Sequence, residues 1–136
     1  LSLRRQRQMC IRDRHDAAVR VLIEGLKDLK VLKGNRKSIE SSFGYRPYYM
    51  HGTSHWLGLD VHDAGKYRNA DQTPVALKPG MVLTVEPGLY FPRSIDGIPA
   101  ELRGIGIRIE DDILVTRTKY RNLSAAIPSK SDEVSD

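Results

Sequence analysis

PGMVLTVEPGLY, residues 79–90, and RGIGIRIEDDILVT, residues 103–116, carry the pattern that decides the fold. In the first, Met81, Leu83 and Val85 alternate with Val82, Thr84 and Glu86, which predicts a strand over 81–86 with the two sets on opposite faces. Lys78-Pro79-Gly80 turns the chain into it and Pro87-Gly88 ends it. In the second, Ile105, Ile107 and Ile109 alternate with Gly106, Arg108 and Glu110, and Ile113-Leu114-Val115 follow. That spacing predicts a pair of strands, or one long bent strand. Residues 92–104 between them, with Pro92, Gly97, Pro99 and Gly104, read as a loop.

Upstream the period changes. Ala18, Leu22, Leu26 and Leu29 recur at three- and four-residue spacing, which predicts a helix over about 16–33 with Asp16 as N-cap and Gly34 as C-cap. A short second helix is expected near 36–42, before Gly44 and Pro47 break the chain. Residues 48–63 show neither period and read as loop with short strands, and residues 64–80 are polar. A helix followed by strands gives an α+β fold.

With 136 residues, 40% hydrophobic and 29% charged, there is room for one small globular domain. No apolar run approaches the roughly 18 residues of a membrane helix, and no secretory leader is visible, so a cytoplasmic protein without membrane contact is expected. The chain's formal charge of +5 is concentrated at one end: residues 1–14 (LSLRRQRQMCIRDR) hold five arginines and one aspartate. RQRQMCIRDR resembles a translated sequencing-library adapter, so residues 1–14 are set aside as foreign and expected to pack against nothing. Without them a basic nucleic-acid-binding arm loses its basis. The only cysteine, Cys10, leaves with the segment, which excludes disulfides and thiolate metal sites from the rest. Residues 129–136 read as a polar, disordered tail.

Three of the four histidines, His51, His55 and His62, fall within twelve residues, among Gly52, Trp56 and Gly58. Any one alone reads as a half-buried, hydrogen-bonded imidazole; three together point to a site, because neutral imidazole ligates metals and moves protons near neutral pH. Glu86 and Glu110 lie in strands where a carboxylate is costly unless paired or metal-bound. The competing explanation is an ion pair of either glutamate with Arg108 on a solvated face. One histidine and two glutamates make a hard N/O donor set suited to Mn, Zn, Co or Fe. That is too few donors for a two-ion clamp.

MHGTSHWLGLDVHD (50–63), PGMVLTVEPGLY and RGIGIRIEDDILVT resemble, nearly residue for residue, the motifs of the Xaa-Pro aminopeptidases. These are pita-bread metallopeptidases, a group that includes prolidase, creatinase and methionine aminopeptidase. The likeness runs from about residue 15 to Pro128 and implies the C-terminal half of a pita-bread domain, a helix plus a curved antiparallel sheet. It implies His55 as a ligand of one metal, Glu86 as a ligand and general base, and Glu110 as a carboxylate bridging two divalent ions, with manganese the first expectation. It further implies His51 and His62 as contacts to the substrate carbonyl and the tetrahedral intermediate, and Arg108 as the residue orienting Glu110. The implied activity releases the N-terminal residue from peptides with proline in second position, through a metal-held hydroxide, in a homo-oligomeric parent. Relatives carry two aspartate ligands and another histidine upstream of this helix, and residues 15–136 do not hold them, so the fragment alone is expected to be inactive. Prolidase is the second reading within the fold; a non-catalytic pita-bread binding module is the third.

Overall fold

The computed structural model describes residues 10–130. Helix α1 spans Ile11–Asp28 and α2 spans Arg36–Ser41. Five short strands follow: β1 (Val82–Val85), β2 (Gly88–Tyr90), β3 (Gly106–Arg108), β4 (Asp111–Val115) and β5 (Tyr120–Asn122), with one 3-10 turn at Ala100–Leu102. All pairings are antiparallel: β1-β4-β5 form one sheet and β2-β3 another.

Helix α1 begins and ends earlier than the period of Leu22, Leu26 and Leu29 predicts. Cys10, not Asp16, stands at the N-cap, and its N–H donates to Asp13 Oδ2 in the first turn at 2.9 Å. Its end needs no glycine. Lys30 takes a left-handed conformation (φ 59°). The N–H of Val31 then bonds back to Leu26 and that of Lys30 to Lys27, both at 2.9 Å. This double closure tucks Val31 under the helix against Leu26 in the same apolar cluster. Gly34 therefore lies beyond the helix, and the buried stripe is Val19, Ile23 and Leu26, while Leu29 is exposed. The second helix falls where expected, capped by the Asn35 side chain accepting from the Lys37 N–H at 2.8 Å.

Residues 10–14 correct the expectation that the first fourteen residues pack against nothing. Cys10 is 7% exposed, and Ile11 packs on the cluster of Trp56, Leu77 and Leu83. Apolar side chains at the first turn of an amphipathic helix are drawn under by the same burial that holds Val19. The remainder of that expectation, residues 1–9, lies outside the described residues, as does most of the expected tail, 131–136.

The larger core joins α1 and α2 (Val19, Ile23, Leu26, Ile39) to Tyr45, Tyr48 and Tyr49, and to Phe91 and Ile98 after the first strands. It fixes the start of the histidine-bearing segment on the helix. The smaller core, Trp56–Leu77–Leu83, fixes the rest of that segment on β1. Both parts of the 105–115 prediction are realised as two strands, β3 and β4, that belong to different sheets.

Candidate metal centre

Three extended segments run side by side here. Residues 53–57 lie along one edge of β1: Thr84 N–H donates to the His55 carbonyl at 3.0 Å, Leu57 N–H to Val82 at 3.2 Å, and Glu86 N–H to Thr53 at 2.8 Å. On the other edge β1 pairs with β4, Val85 opposite Asp111, and beyond the break β2 pairs with β3, Gly88 opposite Arg108. The register is continuous across the break, so Pro87 faces Ile109 and Glu86 faces Glu110. The Ile109 N–H donates to the Pro87 carbonyl at 3.3 Å; Pro87, lacking an N–H, interrupts the ladder and splits the sheet in two.

Two carboxylates directly opposite on an antiparallel pair repel. Glu86 is also 8% exposed, where an unpaired charge is expensive. An imidazole and a guanidinium stand against it. The imidazole Nε2 of His55 stands 3.2 Å from Glu86 Oε1, and Arg108 Nη1 stands 3.7 Å from Glu86 Oε2. One donor atom each from His55, Glu86 and Glu110 lies within 4.8 Å of the others, the one such group of three among the described residues. Metal–ligand bonds of about 2.1 Å put donors up to about 4.2 Å apart, so a slight inward turn of exposed Glu110 closes the set.

The chemistry of the donors fits an ion as well. Nδ1 of His55 lies 2.9 Å from the Trp56 carbonyl, which can only accept. Nδ1 therefore carries a proton, which leaves Nε2, on the side of the carboxylates, as the nitrogen an ion would take. A divalent ion held by this nitrogen and two carboxylates would resolve the repulsion between the glutamates.

The other expected residues are placed as follows. His62 is exposed and packs its ring against His55, centroids 4.3 Å apart. His51 stands apart from the donor group: Nδ1 donates to the Gly52 carbonyl at 2.7 Å, and Nε2 lies 2.9 Å from the Tyr90 hydroxyl. Tyr49 packs edge-on to the His51 ring at 4.9 Å. Arg108 reaches toward Glu86 instead of Glu110, the partner expected for it. In the same loop a Cβ on Gly65 would overlap the Trp56 indole, so only glycine lets the chain cross that ring.

Beneath the loop runs a second buried network. Thr53, 1% exposed, shares its hydroxyl with Tyr49 Oη and with Nδ1 of His15 at 3.0 Å. Burial pushes the Tyr49 phenol up from its ordinary value, so it stays a donor. Burial pushes the His15 imidazole down, helped by Arg46, His51 and Arg12 and opposed by Asp16. A neutral ring can accept from Thr53. Nothing in the sequence pattern singled out Thr53, Thr84 or Tyr90, because hydroxyls in strands and loops read as ordinary propensity.

Residues 5–117 match metallopeptidase family M24. The chain belongs to this family. Its sequence is 50% identical over 116 residues to the Xaa-Pro aminopeptidase of Escherichia coli, an overlap of 85% of this chain and 26% of that protein. Among solved structures it is similar to proline aminopeptidase P II from Yersinia pestis, with a TM-score of 0.84 at 47% identity over 92% of this chain and 28% of that one. A zinc-substituted aminopeptidase P of E. coli in complex with product gives a TM-score of 0.78 at 39% identity, covering 98% of this chain and 33% of the other. The M24 chain described here thus has the α+β, pita-bread architecture of the aminopeptidase P structures, and it spans about a quarter of the length of the curated relatives it matches. No helix among the described residues is long and apolar enough to cross a membrane.

Proposed function

We propose that residues 15–128 form the C-terminal part of the catalytic domain of an Xaa-Pro aminopeptidase, which releases the N-terminal residue from peptides with proline in second position. The observation that carries this reading is the register that sets Glu86 opposite Glu110 beside Nε2 of His55. The 50% identity to a protein named Xaa-Pro aminopeptidase supports the substrate class over prolidase and over a non-catalytic module.

Two divalent ions, manganese first among them, would polarise the scissile carbonyl and activate water at this site. His55 Nε2 would hold one of them, and Glu110 would lie between both. Glu86, the more buried carboxylate, is placed to bind an ion and to receive a proton at the carboxylate. The His62 ring, exposed beside His55, has an N–H to offer a negative oxygen developing on the substrate. His51, fixed by Gly52 and Tyr90, would line the substrate side. Arg108, its Nη1 3.7 Å from Glu86 Oε2, would steady that carboxylate and through it the donor set. The parent is proposed to be cytoplasmic and homo-oligomeric, with no nucleic-acid partner.

One ion can be held by three donors; a second needs carboxylates that the described residues do not bring here. The 136-residue chain with excess Mn²⁺ is therefore expected to give no measurable turnover of an Xaa-Pro-Yaa peptide. The same sequence within a protein of its relatives' length is expected to release Xaa, and Glu110→Ala there should abolish release. Turnover by the 136-residue chain would overturn the two-ion account. Cleavage of Xaa-Pro dipeptides alone by the longer protein would replace the aminopeptidase with a prolidase.

A further inference from the structure

We propose that Thr84 is a positioning residue for the metal centre: its one hydroxyl locks the carboxylate of Glu86 to the backbone that carries His55. The proposal rests on the metal-centre reading above and adds a residue to it. Thr84 Oγ1 lies 3.0 Å from Glu86 Oε1 and 3.1 Å from the backbone nitrogen of His55. The direction of both bonds follows from the partners. An amide N–H can only donate, so the hydroxyl oxygen accepts from His55; a carboxylate only accepts, so the hydroxyl proton goes to Glu86.

Several features make this more than an incidental contact. Thr84 is 1% exposed, so no water is at hand to replace either bond. Thr84 lies on β1 and Glu86 follows its last residue, two positions on in extended chain, so the two share a face. The β-branched side chain of Thr84 is stiff at its first torsion, which aims the hydroxyl without further constraint. The Thr84 N–H bonds back to the His55 carbonyl at 3.0 Å, so side chain and main chain of one residue clasp both groups of His55. With Oε1 tied down, Glu86 has its second oxygen turned toward Arg108. Loss of the hydroxyl would free the carboxylate to rotate and leave the His55 N–H without its acceptor. Partners of this kind, one bond behind the ligands, typically change metal affinity 10- to 100-fold.

Valine is nearly isosteric with threonine and equally suited to a strand, so Thr84→Val removes the hydroxyl alone, while Thr84→Ser keeps it and removes the methyl. Thr53 is the control. It is equally buried, but its hydroxyl serves Tyr49 and His15. The 136-residue chain and the three variants would be titrated with Mn²⁺, reading free ion by electron paramagnetic resonance. Co²⁺ would be added separately to record the visible ligand-field bands. Thr84→Val is expected to weaken Mn²⁺ binding roughly 10- to 100-fold and to change the Co²⁺ bands. Thr84→Ser should stay within about threefold of the unmutated chain, and Thr53→Val should lower the melting temperature while keeping affinity and bands. Unchanged affinity in Thr84→Val would overturn the proposal, as would an equal loss in Thr84→Ser or in Thr53→Val. If the unmutated chain takes up neither ion, the metal-centre reading itself fails, and the role of Thr84 falls with it.

Discussion

Helix α1 and strand β3 carry apolar residues at equally regular spacing, yet they end in opposite environments. On α1, Val19, Ile23 and Leu26 are 2%, 0% and 0% exposed beneath the tyrosines. On and beside β3, Ile105, Ile107 and Ile109 are 41%, 61% and 46% exposed, and the residues between them are exposed as well. The helix has a local partner: α2 and the 45–49 turn follow it within a few residues and close over its stripe. The strand pairs only with β2, and although Ile107 and Ile109 share a shallow cleft with Ile127 and Pro128, its isoleucines stay largely in water. Periodicity reports which face is apolar; it does not report what covers that face. Two strands joined edge to edge supply hydrogen bonds but little shelter for side chains, which stand perpendicular to the sheet.

The sharpest way to break this comparison is to cut one residue from the covered side. Ile23→Ala should cost about 2–5 kcal/mol, the range for deleting a buried branched side chain and leaving a cavity. Alanine keeps the helix, so the loss would report packing alone. Urea titration followed by circular dichroism measures it. A cost under about 1 kcal/mol would mean that the core between α1 and the tyrosines is loose, and that the two regions differ less than their exposure suggests.

The same contrast explains how far the sequence was legible. Strand β1 and the paired strands after it follow from alternation, and Glu86 and Glu110 stand out as carboxylates in apolar strands; which histidine joins them rests on the resemblance to the Xaa-Pro aminopeptidase motifs, and a continuous register brings the three together. The ends of α1 were not legible. Its close depends on Lys30 adopting φ 59°, which no residue type announces, and on Val31 finding Leu26. Its start depends on Cys10 and Ile11 finding cover near Ala76 and Trp56, far along the chain. Arg108 was legible as a partner for a glutamate, but which one depends on rotamers: the side chain reaches back across the strand pair to Glu86.

A milder test uses pH. The His15 imidazole, at the rim of the covered side, is pushed below its ordinary value, first by burial and then by Arg46, His51 and Arg12, against the pull of Asp16. The unfolded chain therefore takes up this proton more readily than the folded one. The stability contributed by a neutral His15 is fully present above the unfolded value of about 6.5 and declines as pH falls through it. Protonation would also turn Nδ1 from acceptor to donor and set it against the Thr53 hydroxyl arrangement. The melting temperature of the unmutated chain should thus drop more between pH 8 and pH 5 than that of His15→Gln. Equal drops would show that His15 takes no part in the acid response and that the network under Tyr49 tolerates the extra charge.

The smallest effect is expected on the uncovered side. Ile107, 61% exposed and opposite Leu89 on β2, loses little when replaced, since its side chain already stands largely in water. Ile107→Thr keeps the branched Cβ that suits a strand, so unfolding free energy should change by no more than about 0.5 kcal/mol. Association should respond instead. Three exposed isoleucines in a row on a short, open strand pair form the kind of apolar edge through which chains stick to one another. Light scattering of the concentrated protein should fall in Ile107→Thr relative to the unmutated chain, while the urea midpoint stays in place. A stability loss near that of Ile23→Ala would mean that Ile107 is buried in solution, by a second copy or by a rearranged strand, and the contrast between the two regions would disappear. A fall in scattering at constant stability would separate the two properties that an apolar row confers: cohesion where it is covered, and adhesion where it is not.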